Sequence, residues 1–310
     1  MARGPVSPAV ARFMAARQVG AAGPPLTGTL GDRINQGYDR AFHRYEVNGE
    51  RADVSPHFRM AGGFNQKNVA AGMKALEGRL GTKPGQVPLD VAGRVMAGRG
   101  TPADVGRVTQ ALIDAGKLPA ADTAHPTLES RIRQMMWDHG VGIDCAGYVQ
   151  QTLAAAHGKT PAQLGLKDPL NEDLGALDHN PNFQRRHVLD AAVGDVITLK
   201  DVSPSEPGHT VLVAEHLERT GAEMVTYFKP GDPRAEPFLR SRALTVLVVD
   251  SSWGAGEHGK AEGAGVNRQT WIHDRETGQW AAIKREHTPA EVTGETPYDG
   301  HTLVGAYGVR

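Results

Sequence analysis

One cysteine, Cys145, stands in the stretch Gly142-Ile143-Asp144-Cys145-Ala146-Gly147-Tyr148-Val149-Gln150-Gln151. Asp144 is a strong helix N-cap, and Ala146, Tyr148, Val149, Leu153 and Ala154 follow at helical spacing. Cys145 is therefore expected at the first position of a helix. Unpaired N–H groups and the positive end of the helix dipole favour a thiolate there. A thiolate in that place is a nucleophile near neutral pH; the other use of a lone cysteine is as a small buried apolar side chain.

A cysteine nucleophile needs a base to take its proton and return it to the leaving amine, and the base needs a third group to fix its tautomer. Thirteen histidines are available, so the presence of one decides nothing. His209 stands out by position. It follows a Pro/Gly loop and opens the apolar run His209-Thr210-Val211-Leu212-Val213-Ala214, so it can project from a strand mouth into a cleft. An exposed strand-start residue is the plainer reading. Asp250 closes the apolar run Val246-Leu247-Val248-Val249 and could accept the free ring N–H of His209; it could equally initiate a turn. Trp137 and His139 before the cysteine loop, and Trp253 after the last of these strands, could wall a substrate cleft or fill the core.

These residues carry a resemblance. Asp144-Cys145-Ala146-Gly147-Tyr148-Val149 resembles the Asp-Cys-Ser-Gly-aromatic/aliphatic-Val signature of the NlpC family of papain-like cysteine peptidases. Gly194-Asp195-Val196-Ile197 followed by Gly208-His209-Thr210-Val211-Leu212-Val213 resembles that family's second motif. The resemblance covers residues 127–310. It implies a papain-like α+β core, the Cys-bearing helix packed on an antiparallel sheet, and cleavage of amide bonds in small peptides, most often peptidoglycan peptides of the bacterial cell wall. Cys145 would be the nucleophile, His209 the base and Asp250 the orienting residue, with the Cys145 N–H in the oxyanion hole. Asp144, Trp137, Trp253 and Ser251 are expected beside the substrate, and no cofactor is implied. Ala146 replaces the family's Ser, and Asp250 stands where the family has His, Asn or Gln, which leaves Ser251 or Ser252 as alternatives. The insertion at residues 231–242 is longer than a minimal fold requires.

Three rivals remain. An acyltransferase would use the same Cys–His pair with an amine in place of water. A catalytically inactive papain-like shell would serve as a binding module. A metal hydrolase would use His209, His216 and Asp250 or His258, but no His-Glu-x-x-His pattern occurs.

The elements that must position these residues divide the chain by character. Residues 1–30 read as a flexible arm with one helical stretch at 9–18, and residues 31–60 show no clear period. Helices are expected at 65–80, at 89–96, from Pro102 behind the N-cap Thr101 to 115, and at 127–138. Residues 31–120 thus read as a helical region, a packing module or a docking face for a protein partner, and 119–126 as a linker. Short helices and loops are expected over 160–184. Strands are expected at 195–199, 209–215, 223–228, 243–249, 269–274, 280–285 and 301–309. Helices first and consecutive strands afterwards argue for an α+β fold with an antiparallel sheet. The glycines of residues 254–265 suggest a flap beside the cleft rather than a phosphate loop.

Formal net charge is -1 over 310 residues, so no electrostatic attraction to nucleic acid is expected. No apolar run reaches the length of a membrane span. The N-terminus lacks the apolar segment of a secretory signal, so a cytoplasmic setting or a specialised export route is expected. A single cysteine permits no intrachain disulfide.

Overall fold

The computed structural model describes residues 25–58, 66–166, 174–201, 208–228, 230–253, 265–283 and 301–310. The expected helix at 9–18 and nearly all of the glycine-rich flap lie outside them.

Seven antiparallel strands form the sheet on which the molecule is built. They are β3 (Phe183–Arg186), β4 (Val196–Asp201), β5 (His209–Arg219), β6 (Leu244–Trp253), β7 (Gly265–Asp274), β8 (Trp280–Ile283) and β9 (His301–Val309), in the spatial order β3-β9-β4-β5-β6-β7-β8. β5 and β6 are central, and β6 is buried along its whole length. That explains why its sequence is apolar on both faces rather than alternating. The α+β class with an antiparallel sheet is thus present.

On one face of the sheet lie α1 (Leu30–Asp39) and α6 (Cys145–Ala156). Tyr148, Val149 and Leu153 of α6 share a core with Ile34 of α1 and with Val196, Leu212 and Ala214 beneath them. On the reverse face Ile197, Leu199, Val211, Val213 and Val249 pack with Trp253, Trp271 and Trp280.

A second core joins α3 (Leu89–Met96), α4 (Pro102–Asp114) and α5 (Leu128–Asp138) to the hairpin β1 (His43–Val47)–β2 (Glu50–Val54). α2 (Gln66–Ala75) adds Val69 and Met73 at its edge. The cores do not divide at the expected 119–126 linker. α1, from the N-terminal part, packs under α6, whereas Ile132, Met135 and Met136 of α5 belong to the helical core.

Two further expectations change. Residues 223–228 form no strand: Gly221–Tyr227 is a 3-10 helix, started by a capping box in which Thr220 and Glu223 bond each other's backbone N–H. The helix expected to reach residue 80 ends at Ala75, because Leu80 bridges Val87. A short α7 (Glu236–Arg240) occupies the 231–242 insertion. Among the described residues no helix is long and apolar enough to cross a membrane.

Candidate active site

Cys145 is the first residue of α6, as its spacing predicts, and Asp144 is the N-cap, accepting the Gly147 N–H at 2.6 Å. Three separate segments hold the loop in front of it. The Ile143 N–H donates to the His57 carbonyl at 2.9 Å, and the Asp144 N–H to the Gly98 carbonyl at 3.0 Å. Ser252 Oγ, from β6, donates to the Ile143 carbonyl at 2.7 Å. Each is a buried backbone group whose loss would leave an unpaired polar atom, so the loop has little freedom to move. Gly147 is required by the same packing: a Cβ there would stand 2.2 Å from the Gly98 carbonyl oxygen.

The helix start brings Cys145 against the beginning of β5. Main-chain N–H groups of Thr210 and Ala146 point to the sulfur and favour its anion, as does the guanidinium of Arg99. Burial opposes them and is the largest effect, with the Asp144 carboxylate next; together they push the thiol up to about 12. This corrects the expectation of a thiolate formed readily at a helix N-terminus. Here the helix end is desolvated and shares its first turn with an anion, and those two effects outweigh the dipole. Both favour the neutral thiol, at a side chain that is itself only half-buried.

Comparison of the chain with protein-family models, with curated proteins and with solved structures finds no match.

His209 opens β5 as expected, and it is 7 % exposed. Its ring lies 4.5 Å from that of Trp253. It pairs with Leu199, and the two-residue alternation of a strand puts it on the face of Val211 and Val213, the reverse of the face that α6 covers. The main chain of Thr210, the next residue, is what meets the Cys145 sulfur.

Asp250 is displaced from its expected role. It pairs in register with Leu212, three residues from His209 and on the α6 side of the sheet. Its two oxygens accept from Arg268 Nε at 2.6 Å and Arg268 Nη2 at 2.7 Å, and the side chain is fully buried. It orients Arg268, which also donates to Asn35 at 2.7 Å and lies over the Tyr38 ring. Asp250 is therefore a tie between the sheet and α1. Burial raises its carboxyl above the usual range, and Arg268 opposes that.

The expected substrate-side residues are spread. Ser251 is fully buried and donates to the Thr210 carbonyl at 2.7 Å, so it supports the strand rather than lining a cleft. Trp253 donates its indole N–H to the Asn267 carbonyl at 3.0 Å and is part of the reverse-face core. Trp137 is half-buried, and its ring lies 5.1 Å from that of His57. Asp144 is buried, bonded to the helix start and ion-paired to Arg99 Nη2 at 3.0 Å.

Arg99 and His57 were the residues that spacing did not reveal. Gly98-Arg99-Gly100 reads only as a break between two helices, and His57 falls in an aperiodic stretch. His57 donates Nδ1–H to the Phe58 carbonyl at 2.7 Å, and burial lowers its pKa to about 4. Its Nε2 is buried with no protein partner among the described residues.

A cavity of about 580 Å³ lies elsewhere, between Arg185–Leu189, His273, Trp280 and Leu303–Gly305. None of its lining residues belongs to the Cys145 cluster. Among the described residues no group of three or more His, Cys, Asp or Glu side chains is arranged to hold a metal ion.

Proposed function

We propose that this protein is a cysteine hydrolase that cleaves amide bonds of small peptides, with bacterial peptidoglycan peptides as the substrate class. The main support is the placement of Cys145 at the start of α6 against the start of β5, the arrangement implied by the resemblance to the NlpC signature. In the proposed reaction His209 turns off Trp253 over the end of the sheet and takes the Cys145 proton. The sulfur then attacks the carbonyl carbon, with first-turn N–H groups of α6 receiving the charge on oxygen. The C–N bond breaks as His209 returns the proton to the amine, leaving a thioester. Water, losing a proton to His209, attacks the thioester; the C–S bond breaks, and carboxylate and thiol are released.

Burial that favours the neutral thiol and an Asp250 committed to Arg268 favour a second reading, a papain-like shell that binds peptides without cutting them. The two readings separate in one assay. Peptidoglycan fragments incubated with the protein should yield new amino groups, and Cys145→Ala and His209→Ala should each abolish them. Unchanged fragments that nonetheless bind would favour the shell.

A further inference from the structure

The Gly98-Arg99-Gly100 loop sits directly on the helix start that carries Cys145, fixed there by the Asp144 N–H and by the close approach of Gly147. Gln151 of α6 donates to the Arg99 carbonyl at 3.3 Å and ties the loop down from the other side. Arg99 is only 6 % exposed. One nitrogen, Nη2, is used by Asp144. Nε and Nη1 are buried without a hydrogen-bond partner among the described residues.

A guanidinium stays charged at every accessible pH and offers five N–H donors in a fixed fork. Leaving two of its nitrogens buried and unsatisfied is costly, and such an exception calls for a reason. Asp144 cancels the charge of the pair at rest but leaves those donors unused. Cys145 follows the residue that Arg99 pairs with, and the Arg99 charge favours its anion.

We infer that Arg99 is the charge partner of Cys145, its unused N–H groups receiving the negative charge of the thiolate when the thiol loses its proton. This deepens the hydrolase reading and rests on it for the use made of the thiolate. The charged and titratable groups on the surrounding elements are Asp144 at the helix start, Arg99 on its loop and His209 on β5. His57 and Arg133 stand on the segments behind Ile143, and Asp250 with Arg268 lies under Tyr148 farther along α6. Of these, Arg99 is the fixed cation joined to the cysteine's own helix cap.

The test is the pH dependence of the iodoacetamide reaction at Cys145 in wild type and in Arg99→Gln, Arg99→Lys and Asp144→Asn. Asn still caps the helix, so Asp144→Asn removes the opposing anion and leaves the Arg99 charge uncancelled. Its alkylation midpoint should fall by about one pH unit, roughly a tenfold gain in thiolate at a fixed pH below the midpoint. Arg99→Gln should move the midpoint up by a similar amount, and Arg99→Lys should restore it. Opposite shifts cannot come from loosened packing, which would move both variants toward an ordinary thiol.

If Arg99→Gln proves too unstable to study, the double variant Arg99→Gln/Asp144→Asn leaves no lone buried charge, and its midpoint should lie above that of Asp144→Asn alone. Midpoints that do not move, or that move the same way, overturn the inference. Peptide cleavage by a wild type whose midpoint ignores Arg99 would sink this inference alone. Opposite shifts in a protein that cleaves no peptide would sink the hydrolase reading and leave the Arg99–Cys145 pairing intact.

Discussion

His57 shows how a residue outside any motif comes to matter. Its imidazole is held neutral between Trp137 and the loop before Cys145, with Arg133 adding a further charge against protonation. The folded pKa is about 4 against an ordinary 6.5, so the unfolded chain accepts a proton that the folded protein refuses. Stability is therefore full above about pH 6.5, falls as pH drops toward about 4, and levels off below it; the loss is on the order of 3 kcal/mol. His57→Gln should flatten that part of the profile. Urea midpoints at about pH 7 and about pH 4 measure it, and an equally steep loss in the variant would contradict the assignment. Cys145 illustrates the opposite limit of sequence reading. Asp144 and the apolar spacing after it identify the helix start correctly. The burial that favours the neutral thiol depends on contacts remote in sequence.

At the scale of elements, local signals are read well where they are strong. Thr101-Pro102 and Asp104 make α4, and the long apolar strands β5 and β6 need no tertiary help to be recognised. What escapes is structure whose burial is supplied from elsewhere. α1 has Ile34 as its only fully buried apolar side chain and is held by its Thr29 capping box and by packing under α6. The β1–β2 hairpin has charged, exposed faces, although Asn48-Gly49, both at positive φ, is a turn signal in plain view. The Thr220–Glu223 capping box overrides the β propensity of the residues after it. The placement of Asp250 follows from strand parity, since it shares the face of Leu212 and not that of His209.

The same parity makes Arg268 the link between the sheet and α1, through Asp250 and Asn35. Arg268→Met would strand a buried carboxylate and release α1, costing about 3–5 kcal/mol in urea denaturation. The double variant Arg268→Met/Asp250→Leu should recover most of that loss. A single variant as stable as wild type would show that the pair does not hold the helix.

At the scale of the whole molecule, the helical core and the core between α1, α6 and the sheet meet at the cysteine loop. Val141 bonds back to Met136 of α5, Ile143 to His57, Asp144 to Gly98, and Ser252 reaches over from the sheet. The loop is where the helical core and the sheet core meet, so the N-terminal helices form part of the site's support. A fragment of residues 127–310, the extent of the sequence resemblance, keeps α5 without α3 and α4 and keeps α6 without Ile34. It should show no cooperative thermal transition by circular dichroism, whereas the intact chain should melt cooperatively. A cooperative melt of the fragment would return the boundary to the linker at 119–126.

In the proposed reaction Cys145 carries an acyl group during cleavage of a peptidoglycan peptide. Acid-quenching the reaction during turnover and taking the mass of the intact protein tests it most directly. The protein should carry an adduct equal to the acyl half of the cleaved peptide, located on Cys145 and missing from Cys145→Ala, which should cleave nothing. Cleavage that persists in Cys145→Ala would contradict it.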